Sequence, residues 1–391
     1  MAESSICRLQ GSKANHAMIQ SLAQILGKYA RELHPSSFAM VMATGIISIA
    51  AHLLDFPRMA MLLMGLNLIT YSWLWAMTIV RIAFFRVNIV EDLLNHNRCV
   101  GYFTMAAGTC VVGSEFLVLR GNGQSARLFW FLGVALWGFL NYTIFTLLVV
   151  KEKKPLLAEG INGGWLIAVV ATQSVANLGE LVLQDLHPYG EWVHFFSLSL
   201  WLSGGMLYIW IISLIFYRYM FFTLVPSDFL PPYWVNMGAM AVSTLTGTTL
   251  IRNSPSSRLL SELSPFLKGF TILYWATATW WLPMLVILWA WRHVYKGFPL
   301  VYDPLYWGAV FPLGMYSVCT FWLANVLQLS FLMAVPRVSF YVALAAWAVT
   351  LIAFTFSTAR TTIASVAQVH AMQKSARLIN TQPRRRLGRR Q

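Results

Sequence analysis

Charge is what this sequence has least of. Only 11% of its 391 residues are Asp, Glu, Lys or Arg, against 58% hydrophobic, and the mean hydropathy is +0.61. A soluble globular chain of this size has no use for such a balance. Cysteine is scarce too. Cys7, Cys99, Cys110 and Cys319 show no Cys-x-x-Cys or His–Cys spacing, so neither a disulfide framework nor a cysteine-held metal follows. Enzyme signatures are missing as well, with no His-Glu-x-x-His, no nucleophile elbow and no phosphate-binding glycine loop. The stretch "EWVH" sets Glu191 and His194 at a spacing used by di-iron helices, but that chemistry needs a second copy and further carboxylates. His52 and His187 lie near the same boundary and suggest no metal site by themselves. No catalytic residue, cofactor or metal is expected.

What the chain does have is apolar runs. A bilayer core of about 30 Å takes roughly 20 apolar residues per helix, and runs of this kind recur down most of the chain. Ten spans are read, at about 36–54, 59–83, 101–119, 128–150, 163–183, 192–217, 233–251, 266–291, 305–328 and 338–358. A transmembrane barrel would alternate polar and apolar residues, whereas "FTILYWATATWWLPMLVILWAW" (270–291) is continuously apolar. The fold class is therefore all-α and polytopic. The first run begins after some 35 polar and amphipathic residues and lacks a small-residue cleavage site, so no secretory signal peptide is expected.

Orientation follows from Lys and Arg. With the N-terminus placed inside, the inner side holds 21 of the 28 and the outer side holds Arg58, Arg120, Arg127, Arg252, Arg258, Lys268 and Arg337. Both termini are expected in the cytoplasm, in a multi-pass protein of the cell membrane. The same count accounts for the net charge of +14 without nucleic acid, and the tail "RRRLGRR" reads as a lipid-attracted basic segment. Three parts are expected: 1–34 with an amphipathic helix, a membrane domain over 35–358, and a basic tail over 359–391. That helix, with Ile19, Leu22, Leu26, Tyr29 and Leu33 on one face, suits either the membrane surface or the protein's own loops.

A repeat organises the spans. Odd-numbered members open on an aromatic residue followed by small and polar ones: "FAMVMATGIISI" from Phe38, "FTMAAGTCVVGS" from Phe103, "WLIAVVATQSVA" from Trp165, "WVNMGAMAVSTL" from Trp234 and "WGAVFPLGMYSV" from Trp307. The spacing is that of a helical hairpin each time, so the chain reads as five hairpins. Odd spans carry Gly, Ala and hydroxyls, while even ones are rich in Trp, Leu, Ile and Phe. Small and hydroxyl residues suit close packing or a watered lumen, and bulky apolar ones suit lipid. Five inner helices around a central pore, ringed by five outer ones, satisfy both. Candidate pore-lining residues are Phe38, Thr44, Ser48, Thr109, Gln173, Ser174, Ser243, Thr244 and Ser317. Glu115, Glu180, Arg120 and Arg252 lie at the outer ends, where pairing is expected, with Arg252 free in some states to draw anions to the outer mouth.

The stretches "HPSSFAMVMATGI" (34–46), "NMGAMAVSTLTG" (236–247) and "FPLGMYSVCT" (311–320) resemble the tellurite-resistance/dicarboxylate transporter family, which includes yeast malic-acid permeases, sulfite exporters and plant guard-cell slow anion channels. The resemblance covers about 34–358. It implies ten helices as five hairpins around a pore, a homotrimer, and transport of small anions: organic acids such as malate or other dicarboxylates, or alternatively inorganic anions such as sulfite, nitrate or chloride, or tellurite-related efflux. It also puts Phe311, beside Pro312, in the role of the phenylalanine that occludes the pore. Physically, Pro312 removes a backbone donor and kinks the helix, which is tolerable at membrane depth where water or protein satisfies the freed carbonyl. A ring directed from that kink can close a narrow lumen sterically and by dewetting. The other reading of Phe311 is packing between helices. With the inside negative, each charge crossing costs about 2.3 kcal/mol per 100 mV, so export, or proton-coupled uptake of a monoanion, is favoured. Carboxylates able to relay a proton are few, which favours a channel-like path.

Overall fold

A computed structural model describes residues 26–183 and 189–381. Of the expected amphipathic helix only 26–32 falls among them, and it is helical; its remainder, the arginine run at 384–390, Cys7 and His187 lie outside the described residues. The chain forms two units, one over 33–350 and one made of 1–32 with 351–391. In the latter, the described backbone is helical. Everything below concerns 33–350.

Among the described residues there is no strand, and ten helices have 15 residues or more: α1 (Ala39–Leu53), α2 (Pro57–Phe84), α3 (Phe103–Arg120), α4 (Gly123–Val150), α5 (Ile167–Leu181), α6 (Gly190–Phe221), α7 (Val235–Asn253), α8 (Ser264–Ala290), α9 (Trp307–Val326) and α10 (Ala334–Thr381). Eight are long and apolar enough to cross a membrane. The other two, α5 and α7, carry Thr172, Gln173, Ser174 and Asn177, and Ser243, Thr244, Thr246, Thr248 and Thr249, all of them buried. Their polarity is tolerated because protein, not lipid, surrounds them.

The odd helices close a ring. α1 packs on α3, α3 on α5, α5 on α7, α7 on α9, and α9 returns to α1. Each is introduced by a 3₁₀ turn, at Pro35–Phe38, Cys99–Tyr102, Gly163–Leu166, Pro231–Trp234 and Pro304–Tyr306. Proline at the first helical positions of three of them costs no hydrogen bond, since those amides have no intrahelical partner. His34, Asn162 and Asp303 cap the turns by accepting from the amides of Ser36, Gly164 and Leu305. These five turns also pack in a closed ring, which narrows the entry end of the bundle. A Cβ on Gly163 would fall on the Pro232–Tyr233 backbone, so only glycine admits that approach.

Even helices form the outer layer. Each lies against its own hairpin partner and is tied by an aromatic side chain to the inner helix that follows. The Tyr71 hydroxyl and Thr109 Oγ1 are 3.1 Å apart (α2 to α3), Trp137 Nε1 donates to Thr172 Oγ1 at 2.8 Å (α4 to α5), and Trp201 Nε1 donates to Ser243 O at 2.8 Å (α6 to α7). Trp275 Nε1 donates to Thr320 Oγ1 at 3.0 Å (α8 to α9), and Trp347 Nε1 donates to Thr44 Oγ1 at 3.0 Å, joining α10 back to α1. Buried bonds of this kind contribute about 1 kcal/mol each and fix the register between layers.

A second repeat anchors the entry side. Near the ends of the first four outer helices a basic residue reaches a backbone carbonyl: Arg81 Nη1 to Leu33 O at 2.6 Å, Lys151 Nζ to Leu94 O at 2.6 Å, Arg218 Nε to Ala158 O at 2.7 Å and Arg292 Nη1 to Phe229 O at 2.5 Å. Each carbonyl precedes the 3₁₀ turn of an inner helix. The basic residues counted for orientation thus also hold the hairpins together.

Candidate functional site

The ring encloses a chamber. A cavity of about 90 Å³ is bounded by side chains from all five inner helices, in their half away from the 3₁₀ turns. Ile46 and Ile49 come from α1, Cys110, Val111, Ser114 and Val118 from α3, Ser174, Asn177 and Leu181 from α5, Val242, Leu245, Thr249 and Arg252 from α7, and Met315, Val318 and Trp322 from α9. No carboxylate is among them.

The chamber's polar groups are mainly donors. Thr249 Oγ1 donates to Asn177 Oδ1 at 2.9 Å, which links α5 to α7 and leaves the Asn177 Nδ2 amide unused among the described residues. Ser174 Oγ has no hydrogen bond to a described residue. Arg252 makes no ion pair there and stacks on Trp322, with Cζ 4.5 Å from the ring centroid. A hydroxyl, an amide and a guanidinium therefore converge from two adjacent helices on a space free of negative charge, an arrangement that favours an anion over a cation.

Nearby acids turn away. Glu115 Oε2 accepts from Asn67 Nδ2 of α2 at 2.6 Å, while Glu180 lies 3.1 Å from His194 Nδ1 of α6 and accepts from Asn253 Nδ2 at 2.8 Å. The expected pairing of Glu115 and Glu180 with Arg120 and Arg252 is thus not found, because Glu115 is engaged by the Asn67 amide of α2, and Glu180 by the His194 imidazole of α6 and the Asn253 amide of α7. Glu191 accepts from Ser257 at 3.0 Å, apart from His194.

Of the residues proposed to line the pore, Ser174 bounds this chamber, together with Arg252, which was expected at the outer mouth. The others hold helices together. Thr44 and Thr109 meet the outer-layer aromatics, Ser48 donates to Ala60 O of α2 at 2.8 Å, Gln173 Nε2 donates to Trp201 O of α6 at 2.9 Å, and Ser317 donates to Pro336 O of α10 at 2.7 Å. Ser243 and Thr244 donate to carbonyls one turn back, Ala239 and Met240. Phe38 packs edge-on against Tyr71 and Trp75 of α2. The residues sequence reasoning missed are Ser114, Asn177 and Thr249. Their signal was the stripe Ser174–Asn177–Leu181, matched by Val242–Leu245–Thr249–Arg252 on α7.

Phe311 lies on the chamber's own stripe. At roughly 100° per residue, Met315, Val318 and Trp322 fall within about 40° of Phe311 on the α9 helical wheel, and Phe311 is one turn closer to the entry end. Pro312 and Gly314 point to the flanks. The Pro312 ring occupies the place a Cβ on Gly238 of α7 would take, 2.6 Å from Pro312 Cγ, and a Cβ on Gly314 would come within 2.8 Å of Ile46 of α1. One turn below the chamber on the other inner helices stand Met42, Ala107, Val170 and Gly238, so Phe311 is the single aromatic of that layer; its ring is 1% exposed.

Residues 32–356 match the family described as voltage-dependent anion channel. The chain is similar to an uncharacterized transporter of Methanocaldococcus jannaschii, 24% identical over 327 residues that cover 81% of this chain and 91% of that protein. A second uncharacterized transporter of the same organism is 23% identical over 301 residues, covering 75% and 85%. An uncharacterized membrane protein of Mycobacterium tuberculosis is 34% identical over 168 residues, covering 42% of this chain and 84% of its own.

Proposed function

The chain belongs to the voltage-dependent anion channel family, and from that premise we propose that its five-helix lumen carries small anions across the cell membrane, organic acids such as malate and other dicarboxylates among them, past a gate at Phe311. The observation that carries this reading is the chamber's electrostatics: Ser174, Asn177 and Arg252 offer unused donors, and no carboxylate faces them. Anions enter such a space by exchanging water for fixed donors, while cations find no acidic ring. Because only weak, few contacts are offered, passage is fast and selectivity low.

The gate acts at the narrow layer between chamber and entry turns. There Phe311 stands level with Met42, Ala107, Val170 and Gly238, and Pro312, seated on Gly238, sets the course of α9 beside it. All ten long helices span the bilayer in this reading, α5 and α7 within the ring. The 21-to-7 division of basic residues supports cytoplasmic termini, and the wide apolar outer layer supports a homotrimer with one pore per subunit. A second reading has one observation in its favour. A single cation, Arg252, in a chamber of about 90 Å³ compensates one negative charge better than two, so inorganic monoanions such as nitrate or chloride, and malate in its singly protonated form, fit better than a dianion.

Flux through liposomes containing only the purified protein tests the proposal. Malate, nitrate, chloride and sulfite should each leave anion-loaded vesicles faster than from protein-free ones. No anion flux from vesicles holding folded protein would end it.

A further inference from the structure

Three arginines are buried among the described residues: Arg81, Arg218 and Arg292. All belong to the entry-side anchors, yet they are not equivalent. Arg81 has the Asp92 carboxylate at 2.7 Å and Arg218 has Asp228 at 3.5 Å, whereas among the described residues no carboxylate lies within 4.0 Å of Arg292. Arg292 is 7% exposed, spends one donor on Phe229 O, lies 4.4 Å from the Phe298 ring centroid, and leaves Nε without a partner. A single π-helical turn, Trp291–Tyr295, ends α8 and carries it. A buried guanidinium lacking a counter-anion is unfavourable, so a group of opposite charge from outside the described chain is called for at Arg292.

Arg292 also bounds a second cavity, of about 340 Å³, outside the ring. Its walls come from the turn that leads into α7, the end of α8 and the segment after it, the first turns of α9 and residues 345–350 of α10, and are apolar apart from Arg292, Tyr306 and Thr350. Trp234 precedes α7 and Trp289 lies next to the last residue of α8, helix ends of the kind where interfacial tryptophans are expected. On α9 it touches Ala309, Val310 and Leu313, the residues flanking the Phe311–Pro312 segment on its far side.

We propose that this cavity is a binding site for one anionic phospholipid of the surrounding bilayer, with an acyl chain against the apolar walls and the phosphate completing the coordination of Arg292. Charge complementarity and depth both select this occupant. An inorganic anion would satisfy the guanidinium but leave the apolar space unfilled. A zwitterionic lipid brings its own ammonium to compete for the phosphate. A second copy of the chain would have to bring a carboxylate to the same spot.

The test is native mass spectrometry of the full chain released from nanodiscs of phosphatidylcholine with a minority of phosphatidylglycerol. Wild type and Arg292→Lys should each retain one phosphatidylglycerol per chain. Arg292→Gln should retain about tenfold less or lower still, the usual scale for losing a charge-assisted bond. Ala346→Trp, whose indole fills the apolar part of the cavity, should lose the lipid at an unchanged melting temperature, and it decides the matter should Arg292→Gln fail to fold. Wild type without bound phospholipid, equal retention of phosphatidylcholine, or undiminished retention in Ala346→Trp would each overturn the proposal. So would an inter-subunit disulfide formed by Val349→Cys, which would show a second copy covering the cavity.

Discussion

Replacing Phe311 by alanine separates a gate from a packing residue, because the two roles predict opposite results. The ring is 1% exposed and shares a stripe with Met315, Val318 and Trp322; in the proposed gate an anion passes only when it moves aside. Taking a buried phenylalanine into water costs roughly 1.5–3 kcal/mol. At about 1.4 kcal/mol per factor of ten, a lumen held shut by that amount gains roughly 10- to 150-fold in anion flux once the ring is gone. The space opened joins the chamber and fills with water, so little stability should be lost. Were the ring packed in a dry interface, the same change would leave a void costing about 3–5 kcal/mol and add no flux. Pro312→Ala is the companion variant. It restores an amide to α9 and withdraws the pyrrolidine ring from Gly238, so gating should change although no group of the stripe is deleted. Liposome flux and melting temperature, read together on both variants, decide the question. Unchanged or reduced flux in Phe311→Ala, with a lowered melting temperature, refutes the gate.

Arg252→Gln should lower anion flux a few-fold at low salt and much less at high salt, since the Debye length shrinks from about 30 Å at 0.01 M to 3 Å at 1 M; equal loss at both salts would argue against a steering role. Thr44→Val leaves the Trp347 indole without its acceptor and should cost about 1–3 kcal/mol, seen as a lowered melting temperature, whereas a neutral result would mean that the bond between α10 and α1 adds nothing. His34 supplies a pH dependence. Burial, with the Arg98 charge next, lowers its imidazole from 6.5 to about 4, and Nδ1 accepts the Ser36 amide only while neutral. The unfolded chain binds that proton first, so the stabilisation is complete above pH 6.5 and is lost as pH falls from there toward 4. His34→Asn keeps a capping acceptor and should flatten this part of the melting-temperature profile; an unaltered profile would contradict the assignment.

The hairpin repeat was legible because it is written in composition. An aromatic, then small residues and hydroxyls, opens every inner helix, and the five 3₁₀ turns at 35, 99, 163, 231 and 304 follow the same rhythm. Which face of an inner helix looks inward was not legible. Along α1 the residues from Val41 to Ala51 are all buried, so no polar-to-apolar contrast distinguishes lumen from layer. Hydroxyls such as Thr44 and Thr109 were therefore read as lining, whereas each meets an aromatic donor group on an outer helix. That pairing depends on Trp347 and Tyr71, far away in sequence or on another element. Asn177 is the instructive omission. It stands four residues beyond Gln173, but only the partner Thr249, 72 positions on, shows that its amide faces the chamber. Phe311 stands out in the sequence because proline marks its neighbourhood, and Arg252 because charge is so rare in the spans.

The central claim is that the ring of five inner helices passes anions and not cations, and the reversal potential of the purified protein in planar bilayers under a gradient of potassium chloride tests it most directly. The expected potential lies close to the chloride equilibrium value, moves with the anion when nitrate or malate replaces chloride, and is indifferent to exchange of potassium for sodium. A reversal potential that follows potassium or sodium would contradict it.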